Sequence, residues 1–498
     1  MPFFVFWIAL FLNCAFLCLM IKKAETIIIA GIFVLAIFES IVGICQLAGF
    51  QWFANSYYNL TGTFDNPGPY GCFIAVAMAL AISSIILHGR AFLSTATLLL
   101  GAFILPSTQS RTAWIALLGS LLVLLLRTPF IKRRLIANKP ILVLFVSFAL
   151  VVMATPFALK KDSALGRLHI WNIECKVIQN NLATGVGLPF IMGAFGQEQS
   201  DYFRKKERSS DIIRVAGCPQ HAYSEYLRFG MAYGIVGLFL SLTIAVSLIV
   251  ILLKNQSLLG YGAVVWTLVA TASYPLEVWQ LSALLAVLTA YAFSCFFKNN
   301  KRLPVIILAL LSFISIVGTG LEISNWILLR RNERAWKITR TFIATDETAK
   351  LSLYEKLYNK LADNEAFLFD YGRLLHAEGL FEYSNEILKE GSRLSSDLMF
   401  LVLMGKNHLQ LGNNEEAENC FWDAHWRVPS RLYPLLLLMD LYEAEKRIQD
   451  AINIGETALQ MPVNPKNKNM VRLHKQLSMK LLTLKNSFLA EESLENNN

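Results

Sequence analysis

Four stretches of this chain hold residues that could act on a charged substrate, and each also has a plainer role. Arg111, in STQSRTAWIALLGSLLVLLL, stands at the lip of a long apolar run. A guanidinium so near lipid is costly unless it snorkels to the interface or holds an anion. Arg167, in GRLHIWNIECKVIQNNLATGVGLPF, opens a segment in which Ile170, Ile173, Val177 and Ile178 recur at helical spacing, ahead of Asn180, Asn181 and the turn TGVG. Such a helix suits a membrane surface, and its arginine is either a solvated charge or a phosphate ligand. CPQHAYSEYLRFGMAYGIVG leads His221 and Glu225 into another apolar run. Four residues apart, the two would share one face of a helix, where the carboxylate could orient the imidazole or keep it charged; the plain reading is a surface histidine. TGTFDNPGPYGCF, from Thr61, reads as a tight entry into a span, with or without a further role. Glu39, inside an apolar run, calls for a polar partner or a water-filled cavity.

The elements that must position these residues are helices. The chain has 498 residues, 55% of them hydrophobic, and apolar runs recur from the first residue to about residue 320. Ten candidate spans are read, roughly 2–20, 25–50, 68–88, 91–109, 112–127, 140–158, 229–253, 256–275, 280–297 and 303–320. The first lacks the basic start and small-residue cleavage site of a secretory signal. Alternate loops hold twelve basic residues: Lys22, Lys23, Arg90, Arg127, Lys132, Arg133, Arg134, Lys139, Lys254, Lys298, Lys301 and Arg302. The opposite short loops hold Arg111 alone. The positive-inside rule puts the first set in the cytoplasm. The N-terminus, the loop 159–228 and everything after the last span then face outward. The net charge of +9 is thus largely accounted for by topology, and nucleic acid is not an expected partner.

Residues 321–498 carry 22 basic and 25 acidic side chains and lack apolar runs. Gly372 and Gly405 are 33 residues apart, as are Gly379 and Gly412; Ala417 and Ala451 are 34 apart, as are Ala424 and Ala458. The unit GKNHLQLGNNEEAENCFWDAHWRVPS resembles a tetratricopeptide repeat, whose stacked helix pairs leave a face for proteins or peptides. The expected organisation is all-α: a polytopic membrane bundle over 1–320 with the large outer loop 159–228, an α-solenoid of such repeats over 335–480 facing the periplasm, and a disordered tail over 481–498. Cys14, Cys18, Cys45, Cys72 and Cys295 fall in spans, whereas Cys175 and Cys218 share the outer loop, where an oxidising compartment would permit a disulfide. No metal-ligand cysteine spacing occurs.

Together GTFDNPGPYG, SRTAWIALLGSLLVLLL, the Arg-led GRLHIW segment closing in GVG, and the His-bearing segment ending YGIVGLFL resemble the O-antigen ligase family over roughly residues 50–320. That family includes oligosaccharide polymerases and protein O-glycosylating transferases. The resemblance implies a bacterial inner-membrane enzyme that uses neither metal nor cofactor. It would move a glycan from undecaprenyl diphosphate to an acceptor lipid (lipid A–core), a growing polymer or a protein at the periplasmic face. It implies that Arg111 and Arg167 bind the diphosphate and that an outer-loop histidine takes the acceptor's proton. The family's motif is His, then Asn, Ser or Gln, then nine residues, then Gly-x-x-Gly. Counting back from Gly234 and Gly237 puts Tyr223 at the histidine position, with His221 two residues earlier. His221 is the expected base, Tyr223 the alternative, and Glu225 a possible orienting group. Tyrosine is a poor base at neutral pH, with an ordinary pKa of about 10. The repeats are expected to hold a protein partner; a non-catalytic scaffold and a lipid transporter are the competing expectations.

Overall fold

A computed structural model describes residues 4–50, 53, 57–89, 91–130, 133, 161–205, 209–297, 302–341, 347–461 and 468–495. Every regular element among them is helical. In chain order these are α1 (Phe4–Met20), α2 (Ala24–Leu47), α3 (Pro67–His88), α4 (Phe92–Thr108), α5 (Arg111–Arg127), α6 (Lys161–Asn180), α7 (Ile191–Arg204), α8 (Ser210–Val215), α9 (Glu225–Lys254), α10 (Leu259–Ala270), α11 (Trp279–Phe296) and α12 (Arg302–Thr341). Then follow α13 (Glu347–Leu361), α14 (Glu365–Ala377), α15 (Phe381–Leu394), α16 (Met399–Gln410), α17 (Asn414–Arg427), α18 (Tyr433–Ala444), α19 (Ile448–Leu459) and α20 (Lys468–Glu495).

Among the described residues, five helices are long and apolar enough to cross a membrane: Ala24–Leu47, Pro67–His88, Glu225–Lys254, Trp279–Phe296 and Val305–Thr341. Three shorter apolar helices accompany them, Phe6–Met20, Phe92–Thr108 and Leu259–Ala270. The expected span at 140–158 lies outside the described residues.

The chain divides into two units. One comprises Met1–Lys161, Ala222–Gly230 and Val236–Leu328; the other comprises Asp162–His221, Met231–Ile235 and Leu329–Asn498. In the first, α3 is the central helix. It is apolar on all sides, with Tyr70 through Ala81 buried without a break, and it packs on α2, α4, α5 and α10. A helix with no polar face has to be surrounded. By contrast α9 exposes Val236, Phe239, Leu240, Ile244 and Val246, and α12 exposes Phe313, Ile314 and Ile316. Such apolar stripes suit lipid rather than water.

The second unit is built of helix hairpins: α14 with α15, α16 with α17, and α18 with α19, each pair packing on the next. Each hairpin turns through a left-handed residue, Gly379 (φ 76°), Gly412 (φ 77°) and Lys446 (φ 61°), at intervals of 33 and 34. The small residues lie where helices touch. A Cβ on Gly372 would stand 2.6 Å from the Leu388 side chain, and one on Gly405 would stand 2.5 Å from Phe421. Ala417, Ala424, Ala451 and Ala458 are fully buried. The segment 162–221 packs within this unit, with α7 lying against α15 and α17.

Candidate functional site

In the first unit, two polar side chains of α2 hold the loop that enters α3. Gln46 accepts from the backbone N–H groups of Thr61 and Gly62, both at 2.9 Å, and its amide nitrogen donates to the Gly62 carbonyl at 2.9 Å. Glu39 accepts from the Thr63 N–H at 3.0 Å and from the Thr63 hydroxyl at 2.5 Å. The costly intramembrane carboxylate therefore has its polar partner. Gly62 sits at φ 59°, and a Cβ there would lie 2.4 Å from Glu39 Oε2, so both conformation and space require glycine. Asn66 then caps α3, accepting from the Gly68 N–H at 2.8 Å, with Pro67 at the first helical position.

This loop also supports Arg111. Ser110, the residue before α5, donates its hydroxyl to the Gly68 carbonyl at 3.2 Å. A Cβ on Gly71 would lie 2.7 Å from that of Ser110. Arg111 is half-buried in the first turn of α5, where the positive end of the helix dipole adds to its charge.

The start of α9 meets the same region. Tyr223 lies edge-on to Tyr274 with ring centroids 5.8 Å apart, and Asn66 donates to the Tyr274 hydroxyl at 3.5 Å. Ser224 caps α9, accepting from the Leu227 N–H at 3.4 Å. The helix begins at Glu225, so His221, in a bend before it, does not share a helical face with that carboxylate. Glu225 is buried; it accepts from the Leu276 N–H at 2.7 Å and from Arg228 at 3.1 Å. Arg228 also faces Glu277 at 3.5 Å. Buried Glu225 and Arg228, with the exposed Glu277, tie the mouth of α9 to the turn Pro275–Glu277.

In the second unit, α6 carries Arg167, half-buried, nearly two turns inside the helix, and buries His169, Ile173, Val177 and Ile178. The turn after it docks on a break in α9, backbone to backbone. The N–H groups of Val186 and Gly187 donate to the carbonyls of Met231 and Ala232 at 2.8 and 3.0 Å, and the Ile235 N–H donates to the Leu182 carbonyl at 2.8 Å. Tyr233 and Gly234 leave helical geometry there, with Gly234 at φ 67°, ψ −156°. A Cβ on Gly185 would meet the Ala232 carbonyl at 2.4 Å, and one on Gly234 would meet that of Leu182 at 2.2 Å. The glycines of GVG and of Gly-x-x-Gly are thus two sides of one junction.

His221 is half-buried, in the same unit as Arg167. The chain ahead of it is anchored on the tail hairpins. Ser396 donates to the Pro219 carbonyl at 3.0 Å, and Cys218 packs with Leu398, Val402, Ala424 and Val428. Burial raises the Cys218 thiol pKa. Cys175 is exposed, and both cysteines are free thiols. Among the described residues, no three His, Cys, Asp or Glu side chains gather as a metal site. Sequence reasoning passed over Arg228 and Gln199. Arg228 had a legible signal, three residues after Glu225 on a helix. Gln199 had none.

Several long apolar helices with lipid-type faces define a multi-pass membrane protein. Residues 96–242 match the family described as O-Antigen ligase. The matched stretch runs from α4 into α9 and includes Arg111, Arg167, His221, Tyr223, Glu225 and the Gly-x-x-Gly junction. It supports a membrane enzyme of the O-antigen ligase or polymerase type, acting by glycosyl transfer on a lipid-linked glycan. No curated protein matches the chain.

Proposed function

We propose that this protein moves a glycan from undecaprenyl diphosphate to an acceptor hydroxyl at the outer face of the bacterial inner membrane. The family match over 96–242 carries the proposal, because it contains both outer arginines and the histidine-bearing segment. Arg111 and Arg167 bind the diphosphate. The acceptor oxygen attacks the sugar C1, the bond from C1 to the diphosphate oxygen breaks, and the acceptor's proton passes to His221. The leaving diphosphate gains charge as that bond breaks, and guanidinium groups stabilise it by charge-assisted hydrogen bonds. Half-burial of Arg111 at a helix N-terminus supports its role. Tyr223 is the alternative proton acceptor. Glu225, with its oxygens on Arg228 and the Leu276 N–H, acts by holding the helix mouth.

The full reading has ten spans over 1–320 with the loop 159–228 outside, and tetratricopeptide-like repeats over 335–480 in the periplasm. The 33- and 34-residue spacing of left-handed turns supports the repeats. Acceptors are lipid A–core, a growing polymer or a protein, and the repeats suit recruitment of a protein partner. The test is release of undecaprenyl diphosphate from a lipid-linked glycan in the presence of native acceptor extract. Arg111→Ala, Arg167→Ala and His221→Ala should each cut release by roughly 100-fold or more, as loss of a transition-state donor or a general base does. A chain that keeps its folding and partners in all three variants, with no release even in wild type, would be a scaffold. The tyrosine at the histidine position favours that second reading.

A further inference from the structure

Gln199 lies on α7, in the outer loop, and is 1% exposed. Its side chain touches three separate elements. Oε1 meets His169 Nε2 at 2.9 Å. Nε2 donates to the Gly217 carbonyl at 3.0 Å and to the Arg427 carbonyl at 2.6 Å. Two backbone carbonyls can only accept, so the NH₂ end must face them. Oε1 is then left for His169, whose Nε2 must carry the proton. His169 stands two residues after Arg167 on α6, Gly217 stands four before His221, and Arg427 ends the tail helix α17, where carbonyls lack intrahelical partners. Glycines bring α7 this close. A Cβ on Gly193 would lie 2.1 Å from the Arg393 carbonyl, and one on Gly196 would lie 3.1 Å from the Ser396 Cα. An ion pair between Arg204 and Asp423 and a bond from the Ser200 hydroxyl to the Asp423 carbonyl at 3.3 Å complete the seat.

We infer that Gln199 is a positioning residue through which the tail hairpins hold both the Arg167 helix and the chain entering His221. The inference rests on the proposed roles of those two residues. It gives the tail a task within its own chain: a face of α15 and α17 is occupied by the outer loop before any other protein arrives. A buried, fully satisfied amide sets direction as well as distance, and each of its partners loses a hydrogen bond if it goes. Displacement of a reacting group by about 1 Å can cost on the order of 100-fold in rate.

Two substitutions in the full-length chain, reconstituted in lipid nanodiscs, separate the arms. Gln199→Leu removes all three bonds. Gln199→Glu keeps an acceptor for His169 but cannot donate to Gly217 or Arg427. Hydrogen exchange followed by peptide should rise about 10-fold in both 161–180 and 213–221 for the leucine variant, and in 213–221 alone for the glutamate variant, with 433–459 as in wild type. In undecaprenyl diphosphate release, the leucine variant should lower kcat and raise donor KM. The glutamate variant should lower kcat by roughly 30-fold at near wild-type donor KM, a split that general loosening would not produce. Exchange that rises only in 191–204, a uniform rise across 365–459 in both variants, or unchanged kcat and KM would overturn the inference. A wild-type chain without release would instead count against the proposed function, and the exchange pattern alone would then decide the coupling.

Discussion

Gly234 shows how a single backbone angle can organise a site. Its φ of 67° with ψ of −156° belongs to a region open essentially to glycine, and a Cβ would press on the Leu182 carbonyl at 2.2 Å. Strain and clash act together, so Gly234→Ala should cost about 2–4 kcal/mol locally. It should part the GVG turn from α9, read as new protease cleavage within 182–187, while a Gly31→Ala control, with nothing within 4 Å of its Cβ, stays intact. The glycines, Asn66 and Pro67 were legible in the sequence because their conformational demands are local. Glu39 was legible as a cost but its partner was not, since Thr63 is 24 residues away and nothing in either residue type names the other. Gln199 was silent: a polar residue in a polar loop reads as solvated until the fold buries it.

At the scale of elements, α17 shows what packing does to a titrating group. His425 is 7% exposed, its Nδ1 has no hydrogen-bond partner, and the rings of Trp422 and Trp426 flank it with centroids 5.8 and 4.7 Å away. Burial pushes its pKa down from 6.5 to about 4. The folded state therefore holds the neutral imidazole, whereas the unfolded chain protonates near 6.5. Stability from this group is intact above pH 6.5 and is lost as pH falls toward 4, by about 3 kcal/mol in all. Protection of the α17 amides, corrected for intrinsic exchange, should fall across that window, and His425→Gln should flatten the fall. Asp370 does not obscure the result. Burial alone would raise its pKa, but hydrogen bonds from Tyr354, Trp336 and Arg373 outweigh it and the net shift is downward. Its stability contribution is present above the ordinary carboxylate pKa and is lost only in stronger acid. The hairpins themselves were legible because a period of 33–34 marks both the small contact residues and the turns. The third turn falls on Lys446, which no glycine count would find. The packing of α7 on α15 and α17 was not legible, because it joins segments about 200 residues apart by shape rather than by pattern.

For the whole molecule, the decisive quantity is which side of the membrane each segment occupies. The proposed donor, a prenyl-linked glycan, needs lipid for its tail and water for its sugars, so the proposed reaction belongs at a boundary and requires the arginines and the histidine to share a compartment. The twelve basic residues of alternate loops predict that the tail and the loop 159–228 lie outside, with Lys254 inside. Lys389 and Lys254 are both exposed, one on a tail helix and one at the end of α9, so a cysteine at either would be open to reagent. In a background with the eight native cysteines replaced, a membrane-impermeant maleimide applied to intact spheroplasts should label Lys389→Cys. It should reach Lys254→Cys only after lysis. The reverse pattern would put Arg167 and His221 on the cytoplasmic side. Labelling of both before lysis would break the ten-span count, because Lys389 and Lys254 are separated by three expected spans and an odd number must leave them on opposite faces. Either result would remove the shared outer compartment on which transfer from a lipid-linked donor depends. The expected one leaves Arg111, Arg167 and His221 on the face where that donor presents its sugars.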